Sequence, residues 1–163
     1  MKIALTSIAS SVLLVGTAYA NGGVDVQGAA CTPKGSGVYD YAITNTGVTF
    51  FGSVTGGVDF YCAIPNAPQM SPPTTFSIQY SDDTGTAGNE IVATYYKMNR
   101  STGALWPIAN IYTHSGCSTG NYKTCTATFV DTFDPATYRY FVAITLERTT
   151  TAPNEVFWGA TVN

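Results

Sequence analysis

The chain has a single histidine, His114, three residues before Cys117. A Ser-His-Asp hydrolase would have to be built around it. Serines and aspartates are plentiful, and Gly116-Cys117-Ser118-Thr119-Gly120 has the Gly-x-Ser-x-Gly spacing, but with helix signals nearly absent no strand-to-helix turn is expected to present Ser118 as a nucleophile. His114 therefore reads as a surface residue beside a cysteine loop. A histidine-based zinc site meets the same obstacle, because one imidazole must recruit several carboxylates. Glycoside cleavage needs two carboxylates across a sugar-sized gap. Glu147 and Glu155 would face each other if residues 148–154 closed a hairpin between their strands. The simpler expectation is two acids at strand ends, facing water. The run from Ser81 to Glu90, with Asp82, Asp83, Gly85 and Gly88, is oxygen-rich like a calcium loop but lacks EF-hand spacing. An Asp-Asp-Thr-Gly turn explains it without metal. No catalytic residue, metal ligand or cofactor is assigned.

Aromatic residues are the surplus, with eleven Tyr, eight Phe and two Trp. Tyr95-Tyr96 and Phe50-Phe51 are adjacent pairs, and a strand turns successive side chains to opposite faces. One of each pair must then leave the core. Tyr95, Tyr96 and Trp106 are accordingly the candidate ligand-binding residues, able to stack on sugar rings or anchor a protein partner. Trp158 fits the core face of its own strand.

Positioning such residues requires an exported, stapled scaffold. Lys2, the apolar stretch from Ile3 to Val15 and Ala18-Tyr19-Ala20 read as a cleavable signal peptide over residues 1–20. Residues 21–163 then form one domain, secreted to the periplasm, the cell surface or the medium. Cys31, Cys62, Cys117 and Cys125 are an even set in an exported chain, so two disulfides are expected. Three pairings exist. Cys31–Cys62 and Cys117–Cys125 are favoured, since the polar loop from Ser118 to Thr124 can fold back on itself. The chain contains no C-x-x-C pair to suggest a thiolate metal site. Only 10% of residues are charged, and the net charge is −3. Seven scattered basic residues supply no footprint for nucleic acid and no basic stripe for anionic lipid. After the leader, no apolar run is long enough to span a bilayer.

The scaffold itself reads as all-β. Tyr138, Tyr140, Val142, Ile144 and Leu146 alternate with Arg139, Ala143, Thr145 and Glu147, and Phe141 is the exception on the polar side. Phe76, Ile78 and Tyr80 form a second apolar face. Val58, Phe60, Cys62 and Ile64 form a third, opposite Asp59. Cys125, Ala127 and Phe129 alternate with threonines, and Val156, Trp158, Ala160 and Val162 form a C-terminal strand. Further strands are expected near 39–45, 48–54, 90–99 and 104–113. Glycines in Asn45-Thr46-Gly47, Thr55-Gly56-Gly57 and Arg100-Ser101-Thr102-Gly103 mark turns. Pro65, Pro68, Pro72 and Pro73 cannot lie mid-sheet, so this stretch should cross between sheets.

About nine strands at this spacing indicate an antiparallel β-sandwich. Jelly-roll topology is expected, with an immunoglobulin-like Greek key as the alternative. Asp134-Pro135-Ala136-Thr137-Tyr138 is comparable to a tyrosine corner, although Tyr140 stands where that pattern has Cys. Residues 21–30 read as a loose lead into the first strand. Val24 and Val26 also offer an alternation that could be donated to a neighbour's sheet edge.

Four stretches carry a resemblance: Ala18-Tyr19-Ala20, Cys31-Thr32-Pro33, Asp59-Phe60-Tyr61-Cys62-Ala63-Ile64-Pro65 and the Tyr-rich strand from Tyr138. In them the chain resembles the small exported β-sandwich proteins of bacteria that carry no assigned activity. That resemblance implies the fold and no functional residue. The leading expectation is a non-enzymatic secreted or surface protein with a structural, adhesive or self-assembling role. Low surface charge fits such a role by resisting association less. The alternatives are a carbohydrate-binding module and a glycoside-type hydrolase with an unrecognised carboxylate pair. A glycan, a protein or a second copy of the chain is the expected partner.

Overall fold

The computed structural model describes residues 23–34, 41–65, 72–151 and 154–163. The signal-peptide expectation lies outside the described residues. Two antiparallel sheets face each other. One has the order β3 (Tyr41–Ile43), β4 (Val48–Phe50), β11 (Val156–Val162), β6 (Thr75–Asp82), β9 (Gly120–Thr128), and β1 (Val24–Gln27) continues the β4 edge of β11. The other has the order β2 (Thr32–Pro33), β5 (Gly56–Ala63), β10 (Tyr138–Arg148), β7 (Asn89–Asn99), β8 (Leu105–Tyr112). From β4 to β11 the chain changes sheet at every step except the β7–β8 hairpin. This alternation is the jelly-roll arrangement expected over the immunoglobulin-like one. No helix among the described residues is long and apolar enough to cross a membrane.

Period-two patterning explains the core. Phe60 and Cys62 of β5, Val142, Ile144 and Leu146 of β10, and Ile91, Ala93 and Tyr95 of β7 point inward from the five-stranded sheet. Phe76, Ile78 and Tyr80 of β6 and Phe157, Ala160 and Val162 of β11 meet them from the six-stranded sheet. Each large side chain so buried stabilises the fold by roughly 1.5–3 kcal/mol. The β7–β8 hairpin closes where Asn99 accepts the backbone N–H groups of Ser101 and Thr102 through its side-chain oxygen. Gly103 follows at φ 72°, a conformation open to glycine. The disulfides are Cys31–Cys62 and Cys117–Cys125. The first ties the chain just before β2 to β5. The second folds the β8–β9 connection back onto β9.

Some expectations change. Residues 24–27 are a strand, not a loose lead. They pair with β11 of the same molecule and bury Val24 and Val26, so this edge is not donated to a neighbour. The proline-rich segment links β5 and β6 in different sheets, as expected, though residues 66–71 lie outside the described residues. The back-bonding tyrosine is Tyr140, not Tyr138. Its hydroxyl accepts the Asp134 N–H at 2.8 Å and donates to the Thr132 carbonyl. Asp134 itself caps the turn through Ala136 and Thr137. The hairpin that would set Glu147 against Glu155 does not form, because β10 and β11 belong to different sheets.

Candidate functional site

The outer face of the five-stranded sheet carries the groove. On β10, burying Val142, Ile144 and Leu146 turns Phe141, Ala143 and Thr145 outward. Register then assembles rows across the sheet. Phe141 lies between Ala63 and Tyr96, Ala143 between Tyr61 and Thr94, and Thr145 between Asp59 and Val92. Ala143 is the small residue at the centre of these rows, and it leaves room that a larger side chain would fill. The resulting groove, of about 380 Å³, is lined by Lys34, Asp59, Tyr61, Thr94, Tyr96, Leu105, Phe141, Ala143 and Thr145 among others.

One wall is aromatic. Tyr96 and Phe141 stack with centroids 5.4 Å apart and planes at 17°, and Tyr61 meets Phe141 edge-on at 5.5 Å. The polar groups nearby are held in place by one another. The Thr145 hydroxyl donates to Asp59 at 2.7 Å, and Thr94 donates to the side-chain oxygen of Asn110 at 2.9 Å. Lys34 sits 3.8 Å from Asp59 and 5.6 Å from the centre of the Tyr61 ring. Tyr61, and after it Asp59, raises the pKa of Lys34. Cation and carboxylate therefore offset each other, leaving a nearly neutral groove of rings, hydroxyls and aliphatic groups. Such a mixture of apolar surface and a few placed polar groups suits a small organic ligand.

The expected ligand-binding residues separate. Tyr96 lines the groove. Tyr95 does not, because alternation turns it into the core, where it is 1% exposed among Phe76, Phe129 and Tyr140. Trp106 is also elsewhere. A bulge in the β7–β8 ladder sets it opposite Lys97, which pairs with inward-facing Tyr140, so Trp106 lies on the other side of the sheet from Tyr96. It packs edge-on against Tyr138 at 5.9 Å. The residues missed are Tyr61 and Phe141. Phe141 already stood out as an apolar side chain on the polar side of its strand. Tyr61, opposite Phe60, carried the same signal.

The remaining chemistry lies away from the groove's aromatic wall. His114 is bonded to the carboxylate of Glu90, beside which Glu147 pairs across the β7–β10 ladder. In the loop after β6, Asp82 accepts the N–H groups of Thr84 and Gly85, and its other oxygen accepts the Thr113 hydroxyl. These bonds support the turn explanation of this loop. No cluster of three metal-ligating side chains occurs among the described residues. Glu155 is fully buried, and neither carboxylate oxygen has a hydrogen-bond partner among the described residues. Burial pushes its pKa up to about 7, with Asp82 adding to the effect. Arg148, also buried, donates to the carbonyls of Val54 and Gly52 and lies 4.5 Å from the centre of the Phe50 ring. Trp158 is displaced from the core face by a bulge between Phe157 and Gly159, and Phe157 takes the inward position.

No family model matches the sequence, and no curated protein matches it. Solved structures do. A low-affinity xylan-binding module from Roseburia intestinalis aligns over 86% of this chain and 94% of its own, at 14% identity and a TM-score of 0.52. A second xylan-binding module aligns over 88% and 90%, at 16% identity and a TM-score of 0.48. A family 11 carbohydrate-binding module from Clostridium thermocellum, in complex with a mixed-linked tetrasaccharide, aligns over 89% and 91%, at 13% identity and a TM-score of 0.43. The likeness to the Roseburia module is one of fold, and the fold it shares with this chain is the antiparallel two-sheet sandwich.

Proposed function

We propose that this is a secreted, non-catalytic carbohydrate-binding protein whose groove takes a β-linked glycan chain of the xylan type. One observation carries the reading: Tyr61, Phe141 and Tyr96 stand outward in a groove whose remaining lining is aliphatic side chains, the hydroxyls of Thr94 and Thr145 and a balanced Lys34–Asp59 pair. The C–H faces of pyranose rings are apolar and pack on aromatic rings, while their hydroxyls need hydrogen-bond partners. Thr94, Thr145 and Asp59 supply those partners. The near-neutral lining favours a neutral polysaccharide. The xylan-binding module of shared fold supports the same ligand class. Two disulfides support an oxidising compartment. The groove gives the carbohydrate reading a physical site, which moves it ahead of the structural or self-assembling role suggested by composition. It is compatible with adhesion, in which the glycan is the surface gripped. The hydrolase reading loses its proposed carboxylate pair, since Glu147 lies on β10 and Glu155 just before β11, in different sheets.

Calorimetric titration with xylohexaose and cellohexaose tests the proposal. Removing a central ring by Phe141→Ala should weaken binding about 30-fold, roughly 2 kcal/mol. Unchanged affinity in both Phe141→Ala and Tyr96→Ala would sink the groove as the binding site.

A further inference from the structure

Two rings on the opposite face of the molecule take no part in the groove. Tyr122 is 80% exposed and yet holds a positive φ of 52°. That left-handed conformation is unfavourable for a bulky side chain and commonly marks a functional position. Its ring lies parallel to the indole of Trp158, with centroids 5.3 Å apart and planes at 12°. Irregular pairing surrounds both. The β6–β9 register shifts between Tyr80 and Asp82, and the β11–β6 register shifts between Phe157 and Gly159. Bulges re-aim side chains. A Cβ on Gly159 would come 2.7 Å from the Val26 carbonyl oxygen, so only glycine lets β1 pass this close to the second bulge.

Ser81 joins the two irregularities. Its buried hydroxyl accepts the backbone N–H of Tyr122 at 3.2 Å and the indole N–H of Trp158 at 3.1 Å. Tyr122 also lies inside the loop closed by Cys117–Cys125, and the Tyr80 hydroxyl donates to Ser118 of that loop. An exposed ring is thus held by a strained backbone, a shared hydroxyl and a disulfide. Burial gives the fold little return for that arrangement, because most of the Tyr122 ring faces water.

The surroundings identify the ligand class. Beside the rings is an open depression of about 270 Å³ lined by Thr46, Gln79, Tyr122, Lys123, Thr124 and Trp158. Hydroxyl and amide groups flank an aromatic face, and Lys123 supplies the charge. A protein partner would centre its anchors in a deep, enclosed pocket, and this depression is shallow and open to solvent. A sugar ring needs only one aromatic face and a few neutral partners.

We infer that Tyr122 and Trp158 form a second glycan-binding platform on the outer face of the six-stranded sheet. The protein is then bivalent and links separate polysaccharide chains or grips one surface with avidity. The platform shares its ligand class with the proposed groove but rests on separate residues. The chain has two tryptophans, so Trp106→Phe leaves Trp158 as the sole indole reporter. In a Trp106→Phe/Phe141→Ala protein, with the groove disabled, xylohexaose should shift or quench Trp158 emission saturably. Tyr122→Gly suits the left-handed backbone and should lower that affinity at least about tenfold. Gln79→Ala should lower it about threefold. Emission that stays silent up to millimolar xylohexaose and cellohexaose would overturn the inference. So would a response that survives both substitutions. If Phe141→Ala leaves total affinity unchanged while Trp158 still responds, the groove reading falls and the platform stands.

Discussion

On the five-stranded sheet, Phe141 of β10 and Tyr61 and Tyr96 of the strands flanking it point outward because alternation is kept along the β10 pairings. On the six-stranded sheet, Tyr122 and Trp158 point outward where alternation is broken on either side of Ser81. The first arrangement needs nothing beyond strand pairing. Its neighbours Phe60, Val142 and Tyr95 are locked in the core, so the outward residues inherit their rigidity. The second arrangement needs a disulfide loop, a shared hydroxyl and a residue in the left-handed region. An aromatic face on a sandwich can therefore arise from regular or irregular pairing, and the irregular kind depends more on local supports.

That contrast can be broken most forcefully at the disulfides. Cys31–Cys62 spans 31 residues and backs the strand carrying Tyr61, while Cys117–Cys125 spans 8 and encloses Tyr122. Loop entropy puts their contributions at about 3.7 and 2.5 kcal/mol respectively. Urea unfolding of the paired Cys→Ser variants should rank them in that order. The Cys117→Ser/Cys125→Ser protein should keep its groove affinity for xylohexaose while losing the Trp158 response. Equal loss at both faces would show that the two surfaces are not independent.

A smaller effect is expected from Glu155, at the foot of the strand that carries Trp158. Its unfolded value is near 4.5 and its folded value about 7, so the folded state binds the proton more tightly. The resulting stabilisation is fully present below about pH 4.5 and is lost as pH rises through 7. The change is on the order of 3 kcal/mol. Thermal melts should show wild-type Tm falling between pH 5 and pH 8, with a flatter slope in Glu155→Gln. Parallel slopes for the two proteins would refute this assignment. Glycan affinity in the groove should hold across the same range, since the groove has no comparable buried acid.

The smallest expected effect is at Trp106. It lies on the other side of the five-stranded sheet from Tyr96, so Trp106→Ala should change groove affinity less than about twofold. A loss as large as that of Phe141→Ala would mean the ligand wraps the β8 edge, and the two-face comparison would need redrawing.

Much of the scaffold was legible in the residues alone. The alternation in Tyr138–Leu146, Phe76–Tyr80 and Val58–Ile64 identified inward faces that the structure retains. The favoured cysteine pairing is the one found. The site was legible only in part. Tyr96 was identified, but Tyr95 beside it could not be told apart, because an adjacent pair announces that one ring leaves the core without saying which. Trp158 misled for a different reason: a one-residue bulge reverses every side chain beyond it, and nothing local to the strand marks the shift.

Side-chain periodicity, glycine and proline punctuation and cysteine number are properties of short segments, and they pointed to the sandwich, most of its interior and two staples before any contact was considered. Which rings share a groove, which carboxylates never meet and which tryptophan is turned outward depend on register between strands far apart in the chain. Those pairings follow from the joint packing of both sheets, a property no single segment contains.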